Sequence, residues 1–317
     1  MYRWVIQAAV FFFLIVISFN QFFISNESST ITTFNNLQYA MKTKDPLYSE
    51  IKVKSSAYKI PPQNAVIDKV WKKIPGLNGR VVNVDQSYKK MKETGLFNEK
   101  LLVFDEVKPS VSIGDLPPAP IYRGNPEKKM AALMINVSWG TEHIPAILKI
   151  LKQHHVKATF FLEGKWAKNN AKYAQMIEEE GHLIGNHAYN HPDMSRISEQ
   201  EIKNQIQNTS NTIQAVTGKS PALFAPPSGS FTDQVVKVAA DQNMQTILWS
   251  VDTIDWKNPS VSVMINRVKS KLHPGATILM HPTEAVVRGL SDMIKVIKEN
   301  DYHIGTVEKL LSENRLD

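Results

Sequence analysis

From about position 130 onward, short apolar runs alternate with stretches whose apolar residues recur every three or four positions. The runs fall at 131–137, 159–162, 182–186, 222–225, 246–251, 276–280 and 303–305. Between them Ile144, Ile147, Leu148 and Leu151 repeat at helical spacing, as do Trp166, Tyr173 and Ile177, and then Ile202, Ile206, Ile213 and Val216. Val235, Val238 and Ala239 continue the pattern, followed by Val261, Ile265 and Val268, and by Val286, Leu290, Met293, Ile294 and Ile297. A short apolar run reads as a buried strand, and a three-to-four periodicity as a helix buried along one face. Strands that alternate with helices predict a parallel sheet covered by helices. No Gly-rich phosphate fingerprint accompanies the strand ends. The pattern therefore predicts an α/β fold, a distorted (β/α) barrel of seven or so strand-helix units, smaller than the ~250-residue standard. An open doubly wound sheet is the alternative.

The first 128 residues follow other patterns. Arg3 precedes an uncharged, mostly apolar run from Trp4 to Ile24, about the ~20 residues needed to cross a bilayer. Phe19 to Phe23 offer no small-residue cleavage site. Residues 1–25 therefore predict a single-pass signal-anchor in the cell membrane, with the main domain outside the cytoplasm; secretion after signal cleavage is the alternative. Residues 26–59, rich in Ser, Thr, Asn and Lys, predict a flexible stalk. Residues 60–107 predict a small α+β or extended spacer module. Within it 64–74 has helical spacing, 81–84 and 100–104 read as strands, and 88–91 reads as a short helix. Pro109, Pro117, Pro118, Pro120 and Pro126 mark 108–128 as a stiff linker to a domain over 129–317.

Composition narrows the chemistry. The 317 residues carry a net charge of +7 and no cysteine. A disulfide scaffold, a Cys-type zinc site and a thiol nucleophile are thereby excluded. Residues 26–125 hold 15 Lys and Arg against 10 Asp and Glu, whereas 126–317 hold 21 against 20. The basic excess thus belongs to the spacer, where it keeps the segment solvated, and no nucleic-acid module is recognisable.

Polar residues gather at the predicted strand ends, where a parallel barrel builds its site. Asn136 closes the first run, His187 the third and Pro226-Pro227 the fourth. Asp252 to Trp256 follow the fifth, and His281 the sixth. His187 and His191 stand four apart just after a strand, with Pro192 preventing a helix through the pair. Neutral imidazole is the commonest metal ligand, so the pair predicts a two-His metal site. Taken singly, each histidine reads equally as a surface or core residue, and Trp256 as ordinary packing; their convergence carries the metal reading.

Four segments in order resemble the polysaccharide deacetylase family, carbohydrate esterase family four, which shares the nodulation-deacetylase homology fold. They are Val156-Lys157-Ala158-Thr159-Phe160-Phe161, Gly185-Asn186-His187-Ala188-Tyr189-Asn190-His191-Pro192, Val251-Asp252-Thr253-Ile254-Asp255-Trp256 and Ile278-Leu279-Met280-His281. Val137-Ser138-Trp139-Gly140 is similar to the branch found in spore-forming bacteria. The resemblance spans roughly 129–317. It implies a divalent metal, most commonly zinc, and hydrolysis of N-acetyl groups on N-acetylglucosamine polymers such as peptidoglycan or chitin-like chains. It implies that His187 and His191 hold the metal, that His281 is the general acid, and that Asp255 is its carboxylate partner. Trp256 would wall the acetyl pocket, and Pro226 and Pro227 would lie along the substrate.

The resemblance breaks at two motifs. The family's first motif carries two consecutive Asp, the general base and a metal ligand; here Asn136 and Val137 stand there. The Arg that pairs with the base is Ala225. An Arg facing an amide would be an uncompensated charge, so the two losses belong together. Asn cannot accept the water proton, and losing a general base costs ~10²–10⁴ in rate. Two expectations follow: a membrane-anchored deacetylase of weak activity, or an inactive pseudoenzyme that binds or organises cell-wall glycan.

Overall fold

The computed structural model describes residues 45–316. The expected anchor over 1–25 and most of the expected stalk lie outside the described residues. Among the described residues no helix is long and apolar enough to cross a membrane. The described residues divide into two compact units, one holding 45–60 together with 80–105, the other 61–79 together with 106–316.

In chain order the elements begin with α1 (Pro46–Lys54), β1 (Val66–Asp68), β2 (Lys72–Ile74), β3 (Gly79–Val82), α2 (Val84–Met91) and β4 (Phe104–Val107). The first unit packs α1 on α2 around Leu47, Tyr48, Ile51, Val82, Tyr88 and Met91. Tyr48 and Tyr88 meet edge to face at 5.6 Å. Residues 46–58, expected in a flexible stalk, are therefore a helix and a following 3-10 turn, capped by the Asp45 side chain on the Leu47 amide. The strand expected at 100–104 begins only at Phe104, because Asn98 caps a 3-10 turn over Glu99–Leu101.

The second unit continues with β5 (Met130–Val137), α3 (Ile144–Gln153), β6 (Thr159–Leu162), α4 (Gly164–Asn169), α5 (Ala171–Glu179), β7 (Leu183–Asn186), α6 (Glu199–Thr217), β8 (Leu223–Phe224), α7 (Asp233–Asp241) and β9 (Gln245–Thr246). β10 (Val251–Asp252), α8 (Val261–Lys271), β11 (Ala276–Met280), α9 (Glu284–Glu299), β12 (His303–Gly305) and α10 (Val307–Leu311) complete it. The strands form one parallel sheet in the order β10-β11-β5-β6-β7-β8-β9, with β12 beside the start of β5. This is the α/β architecture of alternating strands and helices, with a curled parallel sheet.

Strand β5 shows why the sheet curls around a core. All eight of its residues are buried. Ala131, Leu133, Ile135 and Val137 join Ile147, Leu151, Leu290 and Ile294 of the helices. Met130, Ala132 and Met134 join Phe161, Leu223 and Leu279 of other strands and Ile247 just past β9. The period of two along a strand separates the helix-facing layer from the interior layer. The interior set is filled by side chains, and Asn136 continues it toward the strand ends.

Two further expectations are corrected. Residues 64–74 form the β1–β2 hairpin, not a helix. Asp68 Oδ1 accepts from the amides of Val70 and Trp71 at 2.8 and 2.7 Å, so its side chain closes a turn in place of the helical ladder. Val66, Ile67 and Val70, which supplied the helical spacing, are exposed. Residues 120–123, expected in a stiff linker, extend the sheet. Ile121, buried, donates to Thr246 O at 2.9 Å and accepts from Leu248 N at 2.8 Å, and Arg123 bridges to Ala276. On its other side Ile121 bridges Lys72, and Pro120, which has no amide to donate, joins through its carbonyl, which accepts from Lys73 N at 3.1 Å.

Candidate active-site cleft

Most of the polar residues predicted at strand ends meet in one cavity of about 400 Å³, lined by Asn136, Ser138, Trp139, His187, His191, Ser228, Trp249, Asp252, Trp256, Leu279 and His281. Asn136 lies near the end of β5, His187 follows β7, Asp252 ends β10, and His281 follows β11. Loops that leave rigid strands fix these groups.

His187 is buried, and its Nδ1 lies 2.7 Å from the carbonyl of Ala225. A carbonyl only accepts, so Nδ1 carries the proton and Nε2 keeps its lone pair. Burial pushes the His187 pKa down to about 3, against the opposing pull of that carbonyl. His191, at the mouth, is also held below the ordinary histidine value, partial desolvation of its ring being the largest cause. The two rings stand 5.2 Å apart in an edge-on arrangement.

On the other side Asp255, buried, anchors His281. Its Oδ1 lies 3.2 Å from His281 Nδ1, and its Oδ2 accepts from the His281 amide at 3.1 Å. Thr283 Oγ1 donates to Oδ2 at 3.0 Å while accepting from Val286 N, so the cap of α9 also holds the carboxylate. Thr253 Oγ1 stands 2.6 Å from Oδ1. Asp255 thus lies one step behind the cavity wall and orients the ring that lines it. This pair is a histidine with Nδ1 fixed and Nε2 free, an arrangement that moves a proton.

The substituted motifs leave a different surface. Asn136 Oδ1 and Ser138 Oγ are buried and have no hydrogen-bond partner of good geometry. Near Ser138, burial raises the Glu163 pKa, and the Ser138 hydroxyl and Lys165 pull it the other way. Val137 is fully buried in the helix-facing layer and does not line the cavity. Ala225 packs against the interior layer. Pro226 and Pro227, expected along the substrate, are buried as well; the next residue, Ser228, reaches the cavity instead. Trp139, Ser228 and Trp249 were not singled out as site residues. Trp139 had a signal, its place in motif one; Ser228 and Trp249 had none in periodicity.

A catalytic zinc centre takes three protein ligands. Here two neutral imidazoles stand without a carboxylate, and among the described residues no group of three or more His, Cys, Asp or Glu converges. The donors present do not make up that set. Four loop residues around the cleft have left-handed backbones without being glycine: Ala188 at φ 59°, His191 at 58°, Ser228 at 54° and Ile254 at 53°. For a β-branched residue such as Ile254 this is a true outlier.

The curled parallel sheet, with its histidines gathered at the strand ends, is the α/β architecture of the family-four carbohydrate esterases. The family profile described as polysaccharide deacetylase matches residues 123–247. A peptidoglycan-N-acetylglucosamine deacetylase of Bacillus cereus is 40% identical over 199 residues, 61% of this chain and 72% of that protein. The chain is also 49% identical to the uncharacterized protein YlxY of Bacillus subtilis, over 100% of this chain and 99% of that one. The crystal structure of a family-four carbohydrate esterase pseudoenzyme from Bacillus anthracis shares 52% identity over 86% of this chain and 98% of its own, with a TM-score of 0.82. A mutant of that pseudoenzyme with restored enzymatic activity matches at 51% identity over 85% and 99%, again at 0.82. The chain belongs to the polysaccharide deacetylase family.

Proposed function

We propose that this protein holds N-acetylated cell-wall glycan in a deacetylase cleft that has lost most or all of its hydrolytic power. The observation that carries the reading is the buried, unpartnered Asn136 Oδ1 beside the cavity. A buried polar atom without a partner costs about 1–3 kcal/mol, and a ligand hydroxyl or amide N–H removes that cost. The strained backbones around the same cavity add about 1–3 kcal/mol each, a cost that clusters at ligand clamps. Hydrolysis, by contrast, lacks its base at position 136 and its anionic metal ligand at 137. The apolar run at 4–24 supports attachment to the cell membrane with the folded units outside the cytoplasm.

A second reading, weak metal-dependent deacetylation, is favoured by the intact His281–Asp255 pair and by the free Nε2 of His187. This reading requires a divalent metal, for which zinc is the first candidate.

One titration separates them. Purified full-length protein is mixed with an N-acetylglucosamine tetramer, followed by ligand-observed NMR and by acetate release, with and without added zinc. Saturable binding with no acetate above a His281→Ala control is expected. Acetate release that His281→Ala abolishes would establish the enzyme reading. Absence of binding in both conditions would sink the holding role.

A further inference from the structure

We infer that Trp139 is a sugar-stacking residue, which together with Trp256 turns the mouth of the cleft into a two-indole clamp for a pyranose ring. This rests on the glycan-holding reading and adds the element that selects a ring over any other polar ligand.

The exposure of the two indoles is the first ground. Among the described residues the exposed Phe, Tyr and Trp side chains are Trp139, at 48%, and Trp256, at 52%, and both line this one cavity. Leaving an indole in water forfeits a large hydrophobic contribution, and aromatic side chains with one face free are the usual anchors for a ligand.

Trp139 is also held in place. Its ring lies nearly parallel to His281, 9° between planes and 5.9 Å between centroids. The next residue, Gly140, has φ 72°, and a Cβ there would sit 2.0 Å from the carbonyl oxygen of Pro282. The loop therefore presses on the residue after His281, and only glycine permits the approach. One residue on, Thr141 Oγ1 accepts from the Trp166 indole at 2.9 Å. The indole is thus mounted on a fixed loop, so little side-chain freedom is lost when a ligand lands on it.

Trp256 sits on the short turn over Asp255–Lys257, bracketed by the left-handed Ile254 and Asn258 at φ 53° and 48°. The Lys257 ammonium lies 4.9 Å from its ring centre. The same cavity wall carries the unpartnered Asn136 oxygen and the hydroxyl residues Ser138 and Ser228. Flat apolar faces edged by neutral hydrogen-bonding groups match a pyranose, whose C–H face is apolar and whose rim carries hydroxyls and an acetamide. A flexible peptide or a lone acetyl group presents no such face.

The test compares full-length wild type, Trp139→Ala and Trp139→Phe for binding of the N-acetylglucosamine tetramer by NMR titration, alongside their melting temperatures. Trp139→Ala should weaken binding roughly tenfold or more, Trp139→Phe should recover most of it, and all three should melt alike. Equal affinity of wild type and Trp139→Ala would overturn the clamp while leaving the holding role intact. An affinity loss that Trp139→Phe does not restore would also overturn it, since a second aromatic face would then be irrelevant. No binding by wild type would instead be the failure of the holding role itself.

Discussion

At the residue scale, the resemblance to the polysaccharide deacetylases breaks at three side chains. Asn136 offers an amide where a carboxylate would take a proton. Ala225 keeps only its carbonyl, which still serves, since it fixes the tautomer of His187. Val137 has become part of the hydrophobic layer, packed with Ile144 and Ile147 among others. A charge at that position has no partner in the surrounding side chains. Val137→Asp in metal-free buffer is expected to cost several kcal/mol, on the order of 2–5, read by urea denaturation. A variant as stable as wild type would show that position 137 opens onto the cleft instead of the core. The histidine and aspartate identities were readable from spacing and motif order. That Pro226 and Pro227 are buried, and that Ser228 and Trp249 reach the cavity, was not, because the direction a loop side chain takes depends on what packs beneath it.

At the element scale, strand-helix alternation made the parallel sheet legible, because interior strands are uniformly apolar and covering helices keep their periodicity. The segments before it were harder. The hairpin over 66–74 mimicked a helix because Val66, Ile67 and Val70 are spaced like one, yet Asp68 turns the chain and these residues stay exposed. The prolines around Ile121 suggested a linker, whereas that residue bonds to Thr246 and Leu248 along the rim of the sheet. Ile121→Ala should therefore destabilise the second unit by about 2–5 kcal/mol, as expected for a fully packed isoleucine. The midpoint of guanidinium unfolding measures it. A change below about 0.5 kcal/mol, the ordinary result for a surface substitution, would return the segment to the status of a linker.

At the scale of the whole molecule, buried neutral histidines tie stability to pH. Burial holds His182 at about 4 and His187 at about 3, below the ordinary 6.5. His182 Nδ1 accepts from the Ala158 amide, a bond that protonation removes. Below pH 6.5 the unfolded chain binds protons that the folded chain refuses, so stability falls as pH drops from 6.5 toward 4. The loss should be on the order of a few kcal/mol, because each tenfold difference in proton affinity between the folded and unfolded chain is worth about 1.4 kcal/mol. Thermal melting across that window, with His182→Asn for comparison, checks the sign and its source. A flat profile in the wild type, or one that His182→Asn leaves unchanged in slope, would place the titration elsewhere.

The sequence by itself determined the parallel α/β architecture, the deacetylase resemblance and the places where Asn136, Val137 and Ala225 depart from its motifs. Those are properties of periodicity and of residue type, and they survive any detail of packing. Only the tertiary structure decided which substituted side chains still face the cleft. Val137 went to the hydrophobic layer, while Asn136 was left buried with its side-chain oxygen unpartnered. It also brought Trp139 over His281 and set Trp256 on a strained turn at the same mouth. These placements depend on loops closing against distant segments, such as Gly140 against Pro282, and no local pattern encodes contacts across that separation.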